Sequence, residues 1–223
     1  MTSSAILIPA RYASTRFPGK PLAMLDSVPM IKRVYDACVA SKIPTYVLTD
    51  DIRIANVFEN AGVIIDYKHY ENGTERCAGA IDIDYMQKYD QFINVQGDMP
   101  DVTVEMINSV AVNIQTSGVA TAYTDMDSAL QSDPNSVKVV HNNVYAHWFG
   151  RGLTCGAHHL GIYGYSKQAL AMYRMSPSAY ELHEGLEQLR WLHLNYKVSI
   201  AKVDFDGIEI NTPEDMEKWN ESR

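Results

Sequence analysis

Cysteine is scarce in this sequence: Cys38, Cys77 and Cys155 are widely separated and odd in number among 223 residues. They provide neither a disulfide framework nor the paired spacing of a zinc site, so buried free thiols are expected. No apolar run approaches the roughly 20 residues that cross a bilayer, so no membrane partner is expected. Met1-Thr2-Ser3-Ser4 has no basic segment and no small-residue cleavage site after it, which argues against a secretory signal and for a cytoplasmic address. Basic residues are also in deficit, with 19 Lys and Arg against 27 Asp and Glu and a net charge of −8. That balance argues against a nucleic-acid partner and gives weight to any local cationic cluster. Internal repeats, low-complexity stretches and Pro/Gly/Ser linkers are missing too, so the expectation is one α/β domain over residues 1–223.

Short apolar runs of strand length occur at Ala5–Pro9, Thr45–Thr49, Val63–Asp66, Gln91–Val95 and Val119–Tyr123. Helical patterns lie between them. Val28–Ala40 carries Ile31, Val34, Tyr35 and Cys38 at three- and four-residue steps, and Asp51–Asn60 and Val102–Gln115 read similarly. This alternation predicts a mostly parallel sheet covered on both faces. Val137–His141, Val144–Trp148 and His158–Tyr165 read as further strands, partly a hairpin through Asn142-Asn143, forming an antiparallel, substrate-facing addition. Thr212-Pro213-Glu214-Asp215 supplies a capping hydroxyl, a first-turn proline and two acids, which predicts a terminal helix through about Asn220.

In an open α/β sheet the ligand lies beyond the carboxyl ends of the strands. The first such connection runs Pro9-Ala10-Arg11-Tyr12-Ala13-Ser14-Thr15-Arg16-Phe17-Pro18-Gly19-Lys20. It gathers three cations, two hydroxyls and a glycine, a composition suited to a triphosphate: Gly19 admits backbone close to the ligand, while Arg11, Arg16 and Lys20 offset phosphate charge and stabilise a leaving pyrophosphate. The alternative is a solvated surface loop. It is not a Walker loop, because Ser14 stands where that motif needs Gly and Pro21 where it needs Ser or Thr.

The stretch resembles the signature loop of the CMP-Kdo synthetases, which activate the acidic sugar 3-deoxy-manno-octulosonate (Kdo) for lipopolysaccharide assembly. Further segments resemble the family's motifs in the family's order: Asn72-Gly73-Thr74-Glu75-Arg76, Asn94-Val95-Gln96-Gly97-Asp98, Asp133-Pro134-Asn135-Ser136-Val137-Lys138-Val139-Val140, His159-Leu160-Gly161-Ile162-Tyr163, Leu186-Glu187-Gln188-Leu189-Arg190 and Thr212-Pro213-Glu214-Asp215. The resemblance implies a Rossmann-like nucleotidyltransferase fold, CTP and an acidic sugar as partners, Mg²⁺ as cofactor and a homodimer as assembly. The implied reaction is attack of the sugar's anomeric hydroxyl on the α-phosphorus of CTP.

By the same resemblance Pro9, Ala10, Arg11, Ser14, Arg16, Lys20, Arg76 and Gln96 would bind the nucleotide, with Arg76 helping to read the base. Arg11, Arg16, Lys20 and Asp98 would carry the chemistry. Gln96, Arg151, His159, Tyr163, Glu184 and Glu187 would meet the sugar, and Asp98 and Asn211 would hold the metal. The residues themselves also admit plainer roles: Asp98 as a turn acid, Arg76 on an exposed helix turn, His159 as a half-buried strand residue. Glu184 and Glu187, three apart, are expected on one helix face, with Leu182, Leu186 and Leu189 forming that helix's core stripe.

Three positions depart from the family pattern. Met99 stands where the family commonly has Glu, and Asn211 where it has an Asp of the metal site. Only Gly152–Ala157 separates Arg151 from His158-His159, a shorter connection than the family's. An Asn oxygen can still coordinate a hard cation but brings no charge. A different acidic sugar, another nucleotide on the same fold, and a non-catalytic nucleotide-binding protein are the competing expectations.

Overall fold

The computed structural model describes residues 2–13, 17–58, 62–175 and 177–223. Its first half runs β1 (Ser4–Ala10), a short hairpin of β2 (Met24–Leu25) and β3 (Val28–Pro29), α1 (Met30–Ala40), β4 (Thr45–Thr49), α2 (Ile52–Ala55), β5 (Val63–Ile65), α3 (Gly73–Ala80) and β6 (Gln91–Val95). It continues with α4 (Val104–Ser117), β7 (Val119–Thr124), α5 (Ser128–Gln131), β8 (Lys138–His141), β9 (Tyr145–Gly150) and β10 (Ala157–Ser166). The last elements are α6 (Lys167–Met172), α7 (Ala179–Glu184), α8 (Leu189–His193), β11 (Val198–Lys202) and α9 (Pro213–Glu221).

The strand and helix expectations hold in kind, with ends shifted by a few residues. The exception is Asp51–Asn60, whose last two residues lie outside the described ones: regular helix runs from Ile52 to Ala55 and does not continue through Phe58. Beyond it Val57 and Phe58 donate to Ile54 and Ala55, tighter three-residue steps that bring Phe58 against the Tyr35 ring. Capping explains the firmer helices. Thr103 accepts from Met106 N–H at the start of α4, and Gly118 ends it in the left-handed region. Thr212 and Asp215 form a reciprocal capping box at α9.

Among the described residues nine strands form one sheet in the order β5-β4-β1-β6-β10-β7-β11-β9-β8. Here the expected architecture needs correction. Strands β5, β4, β1 and β6 are parallel, as are β7 and β11, but β10 lies antiparallel between β6 and β7. The sheet is therefore mixed, and the strand assigned to an antiparallel addition occupies its centre. Alternation alone could not show this place, because β10 is largely buried on both faces and its pattern does not name its neighbours. Strands β8 and β9 form a hairpin turning at Asn143 with φ 69°, and β8 also pairs with the start of β10.

The sheet is buried on both faces. One face packs Phe92, Tyr165, Tyr173 and Trp191 beneath α3, α6 and α8; the other packs Ile8, Ile93 and Ile162 beneath α1 and α4. A third cluster joins Leu25, Met30, Ile210 and Trp219, tying α9 and the extended segment before it to the start of α1. Cys38 and Cys77 are buried as expected, whereas Cys155 is exposed in the loop before β10.

Helix α4 sits so close to β10 that a Cβ on Gly164 would lie 2.5 Å from Ile114 Cγ1 and 2.8 Å from Val110 Cγ1. Gly164→Ala should therefore cost about 1–3 kcal/mol of overpacking strain. Gly152→Ala, which meets nothing within 4 Å, is the control and should stay within about 0.5 kcal/mol. Urea unfolding of both variants measures the contrast, and equal midpoints would refute the close packing.

Candidate active site at the carboxyl edge of the sheet

Strands β1 and β6 are parallel neighbours, so Pro9-Ala10-Arg11 and Gln96-Gly97-Asp98 emerge side by side at one edge. A Cβ on Gly97 would come within 3.3 Å of the Pro9 carbonyl, so glycine lets the second connection press against the first. Because β10 runs the opposite way and pairs Ile162 with Val95, its residues before Ile162 extend beyond the end of β6 into the same region. A register shift against β7 falls between Leu160 and Tyr163, at the point where the strand faces the cavity. The cavity formed there has a volume of about 390 Å³.

One wall is cationic. Lys20 begins a 3₁₀ turn after Gly19, and its Nζ lies 2.6 Å from Asp98 Oδ2 and donates to the Ile210 carbonyl at 3.2 Å. Ile210 N–H returns a hydrogen bond to the Asp98 carbonyl at 2.9 Å, which fastens the segment before α9 to the end of β6. Asn211 follows on the cavity wall. Arg11 also lines the cavity and donates from Nη2 to the Glu71 carbonyl at 3.4 Å. Arg76 is buried at the rim, where it donates to Asp50 Oδ2 at 2.6 Å and to the Asp66 carbonyl at 3.2 Å. It is a buried, paired residue of α3 and not an exposed helix-turn cation. Ser14 and Arg16, both assigned to the nucleotide, lie outside the described residues.

The opposite wall comes from β10 and the segment between α7 and α8. His159 Nε2 is 3.0 Å from Thr121 Oγ1, and burial together with neighbouring His158 lowers its pKa to about 3. Tyr163 reaches Gln188 Oε1 at 3.5 Å, and burial raises its phenol well above the usual range. Glu187 accepts from Thr74 N–H at 2.9 Å and from Gln96 Nε2 at 2.8 Å, while burial raises its carboxyl pKa. Arg151 lines the cavity and donates from Nη1 to the Glu184 carbonyl at 2.8 Å.

Two expectations about this wall fail. Glu184 and Glu187 do not share a helix face, because Gly185 at φ 63° ends α7 at Glu184 and Glu187 lies beyond it. Glu187 enters the cavity wall; Glu184 is not part of it and contributes its carbonyl to Arg151. The same break undoes the leucine stripe: Leu186 and Leu189 are buried, but Leu182 is exposed.

Glu209 escaped the sequence reading. It lines the cavity and accepts from Gly161 N–H at 2.8 Å; burial and the nearby Asp98 charge raise its pKa to about 7. The alternation Ile208-Glu209-Ile210 held a signal for it, since the two isoleucines pack with Leu25 and Trp219 and turn the residue between them the other way.

Residues 5–200 match the family model for cytidylyltransferases. The chain belongs to the cytidylyltransferase family. It is 39% identical to 3-deoxy-manno-octulosonate cytidylyltransferase of Parabacteroides distasonis, over 95% of this chain and 94% of that protein. It is 38% identical to 8-amino-3,8-dideoxy-manno-octulosonate cytidylyltransferase of Shewanella pealeana, with the same coverage of 95% and 94%. Among solved structures, a CMP:2-keto-3-deoxy-manno-octonic acid synthetase complexed with CTP superimposes with a TM-score of 0.88 at 28% identity, covering 99% of this chain and 98% of the other. The fold is thus the α/β nucleotidyltransferase fold with a mixed sheet.

His159 couples the cavity of this cytidylyltransferase to pH. Unfolded, the imidazole takes up a proton below about pH 6.5; folded, it stays neutral down to about pH 3. Its contribution to stability is complete above pH 6.5 and is lost as pH falls toward 3, at up to about 1.4 kcal/mol per pH unit. His159→Gln should make stability fall less steeply between pH 6.5 and 5. Urea titrations at several pH values test this, and parallel slopes for the variant and wild type would rule it out.

Proposed function

We propose that the chain transfers CMP from CTP to Kdo or a closely related acidic sugar, releasing pyrophosphate. The observation that carries the proposal is the meeting, in one cavity, of the connection after β1 with the connection after β6, joined by the 2.6 Å Lys20–Asp98 pair. Family membership and the likeness to a structure solved with CTP support the nucleotide. Pro9, Ala10, Arg11, Lys20 and Gln96 form the proposed nucleotide side, and Arg76 at the rim the proposed base side. Arg151, His159, Tyr163 and Glu187 form the proposed sugar side.

The sugar's anomeric hydroxyl attacks the α-phosphorus while pyrophosphate departs, so no covalent enzyme intermediate is needed and the protein's work is positioning and charge stabilisation. Lys20 and Arg11 offset charge on the departing phosphates. His159, held neutral, offers a hydrogen bond without adding a cation. Gln96, fixed by Glu187, orients the groups between nucleotide and sugar.

The donor chemistry fits Mg²⁺, since Asp98 and Asn211 present hard oxygen atoms at one corner of the cavity. Among the described residues no three His, Cys, Asp or Glu side chains gather as a metal site, so phosphate oxygens would complete the shell. When bound, the ion would supply positive charge to the phosphates. A cytoplasmic homodimer is part of the same proposal. Among the described residues no helix is long and apolar enough to cross a membrane.

A second acceptor, 8-amino-3,8-dideoxy-manno-octulosonate, is favoured by the 38% identity to the Shewanella enzyme. Pyrophosphate release measured with each of four nucleoside triphosphates against Kdo, its 8-amino analogue and a sialic acid tests the function. CTP with one of the first two sugars should give turnover, and no release from any pair would refute it. Lys20→Ala should lower kcat/KM at least about tenfold, a loss of roughly 1.4 kcal/mol of transition-state stabilisation, while leaving the fold intact by circular dichroism. Wild-type kcat/KM in that variant would remove Lys20 from the mechanism.

A further inference from the structure

Asn211 leaves the proposed metal corner with one carboxylate where the family pattern has two, and Met99 removes another acid nearby. Met99 is fully buried. A Cβ on Gly161 would meet Glu209 Oε1 at 3.4 Å and Met99 Sδ at 3.5 Å, so Glu209 brings a carboxylate to the neighbourhood from which Met99 has withdrawn one.

The position of Glu209 is fixed from three directions. Ile210 N–H is bonded to the Asp98 carbonyl, Ile210 is packed against Leu25 and Trp219, and Gly161 N–H holds Glu209 Oε1. Gly161 lies within the register shift of β10, where its N–H turns from the strand ladder to the carboxylate. No other hydrogen bond of the described residues reaches the Glu209 carboxylate, and none reaches the Asn211 carboxamide. Glu209 Oε2 and the Asn211 carboxamide are therefore without a hydrogen-bond partner among the described residues, in the cavity that Asp98 also lines. This corner already gathers a cation: the Lys20 ammonium is bound there by the Asp98 carboxylate and the Ile210 carbonyl.

We infer that Glu209 is the second anionic side chain of this enzyme's metal corner, supplying the charge that Asn211 lacks. The inference rests on the cytidylyltransferase reading. Asp98 and Glu209 provide the two carboxylates with which a hard divalent cation is usually held beside phosphates, and Asn211 provides a neutral oxygen. A structural role for Glu209 would need only an acceptor for Gly161 N–H, which a glutamine oxygen also supplies.

Calorimetric titration of CTP into the protein, with Mn²⁺ present and with EDTA, separates these roles without any turnover. Wild type should bind CTP more tightly with Mn²⁺. Glu209→Gln should lose at least about tenfold of that metal-dependent gain. In EDTA the same variant should bind CTP as tightly as wild type or more tightly, because an acid near a triphosphate has been removed. The double variant Glu209→Gln/Asn211→Asp, which restores the charge two residues away, should recover most of the gain. A full metal-dependent gain in Glu209→Gln would overturn the inference while leaving the CTP reading intact. Wild type that fails to bind CTP under either condition would overturn both.

Discussion

The site depends on one constraint: β10 runs against the strands on either side of it. A parallel strand at the centre of the sheet would deliver its last residues to the carboxyl edge. The antiparallel β10 delivers its first ones, and these are His159, Gly161 and Tyr163. The wall facing the proposed nucleotide connections is therefore sheet in part, its β10 portion held by ladders to β6 and β7 and covered by α4 at Gly164, while the segment between α7 and α8 completes it. Sites built on strands hold their geometry more closely than sites built on loops alone. The register shift adds a second effect, turning one backbone N–H of this strand toward an acid of the cavity.

Behind that wall the polar groups are supported by buried partners. Glu187 is fixed by Thr74 N–H and Gln96, and next to it Arg190 forks onto both oxygens of Glu181 at 2.6 and 2.7 Å. Tyr173 and Asn72 complete the network around Glu181. Lys138, buried and without a carboxylate partner among the described residues, donates instead to the carbonyls of Asp133, Ser136 and Arg151. Ion pairs of this depth contribute little net stability, because desolvation offsets their attraction, but losing one partner is costly. Their effect here is to hold the chain around Arg151 and the segment bearing Glu187 in one arrangement. Short helices such as α7 and α8 could not do so through local propensity alone.

The sequence was most informative where local chemistry decides structure. The Thr212 cap and the short run Gln91–Val95, a fully buried strand, read directly, because each is set by residues within a few positions. What did not read is set at long range. The antiparallel sense of β10 was legible, but its place between β6 and β7 depends on pairing with β6, about 70 residues earlier, and a strand buried on both faces carries no mark of its neighbours. The break at Gly185 was visible as a glycine, but the periodicity of Leu182, Leu186 and Leu189 overrode it. Resemblance was strongest for residues that lie in motifs, and Glu209 lies just outside one. The alternation that reveals it is legible only once Ile208 and Ile210 are known to be inward-facing.

Charge ties these observations together. The chain carries a net charge of −8, and its cavity has to admit two anions if it joins a triphosphate to an acidic sugar. Arg11, Lys20 and Arg151 line that cavity, yet so do Asp98, Glu187 and Glu209. A site meant only to attract anions would gain nothing from three acids, since like charges oppose ligand entry. Their partners explain two of them. Glu187 faces Thr74 N–H and Gln96, so hydrogen bonds account for it, and Asp98 holds Lys20. Among the described residues Glu209 accepts a hydrogen bond from the Gly161 N–H alone, which needs no charge, with Lys20 acting on it at longer range. When charged, Glu209 beside Asp98 would oppose an anion entering the cavity, unless a cation enters with the anion. In the proposed reaction this arrangement would favour a triphosphate that arrives with a divalent ion over a bare one.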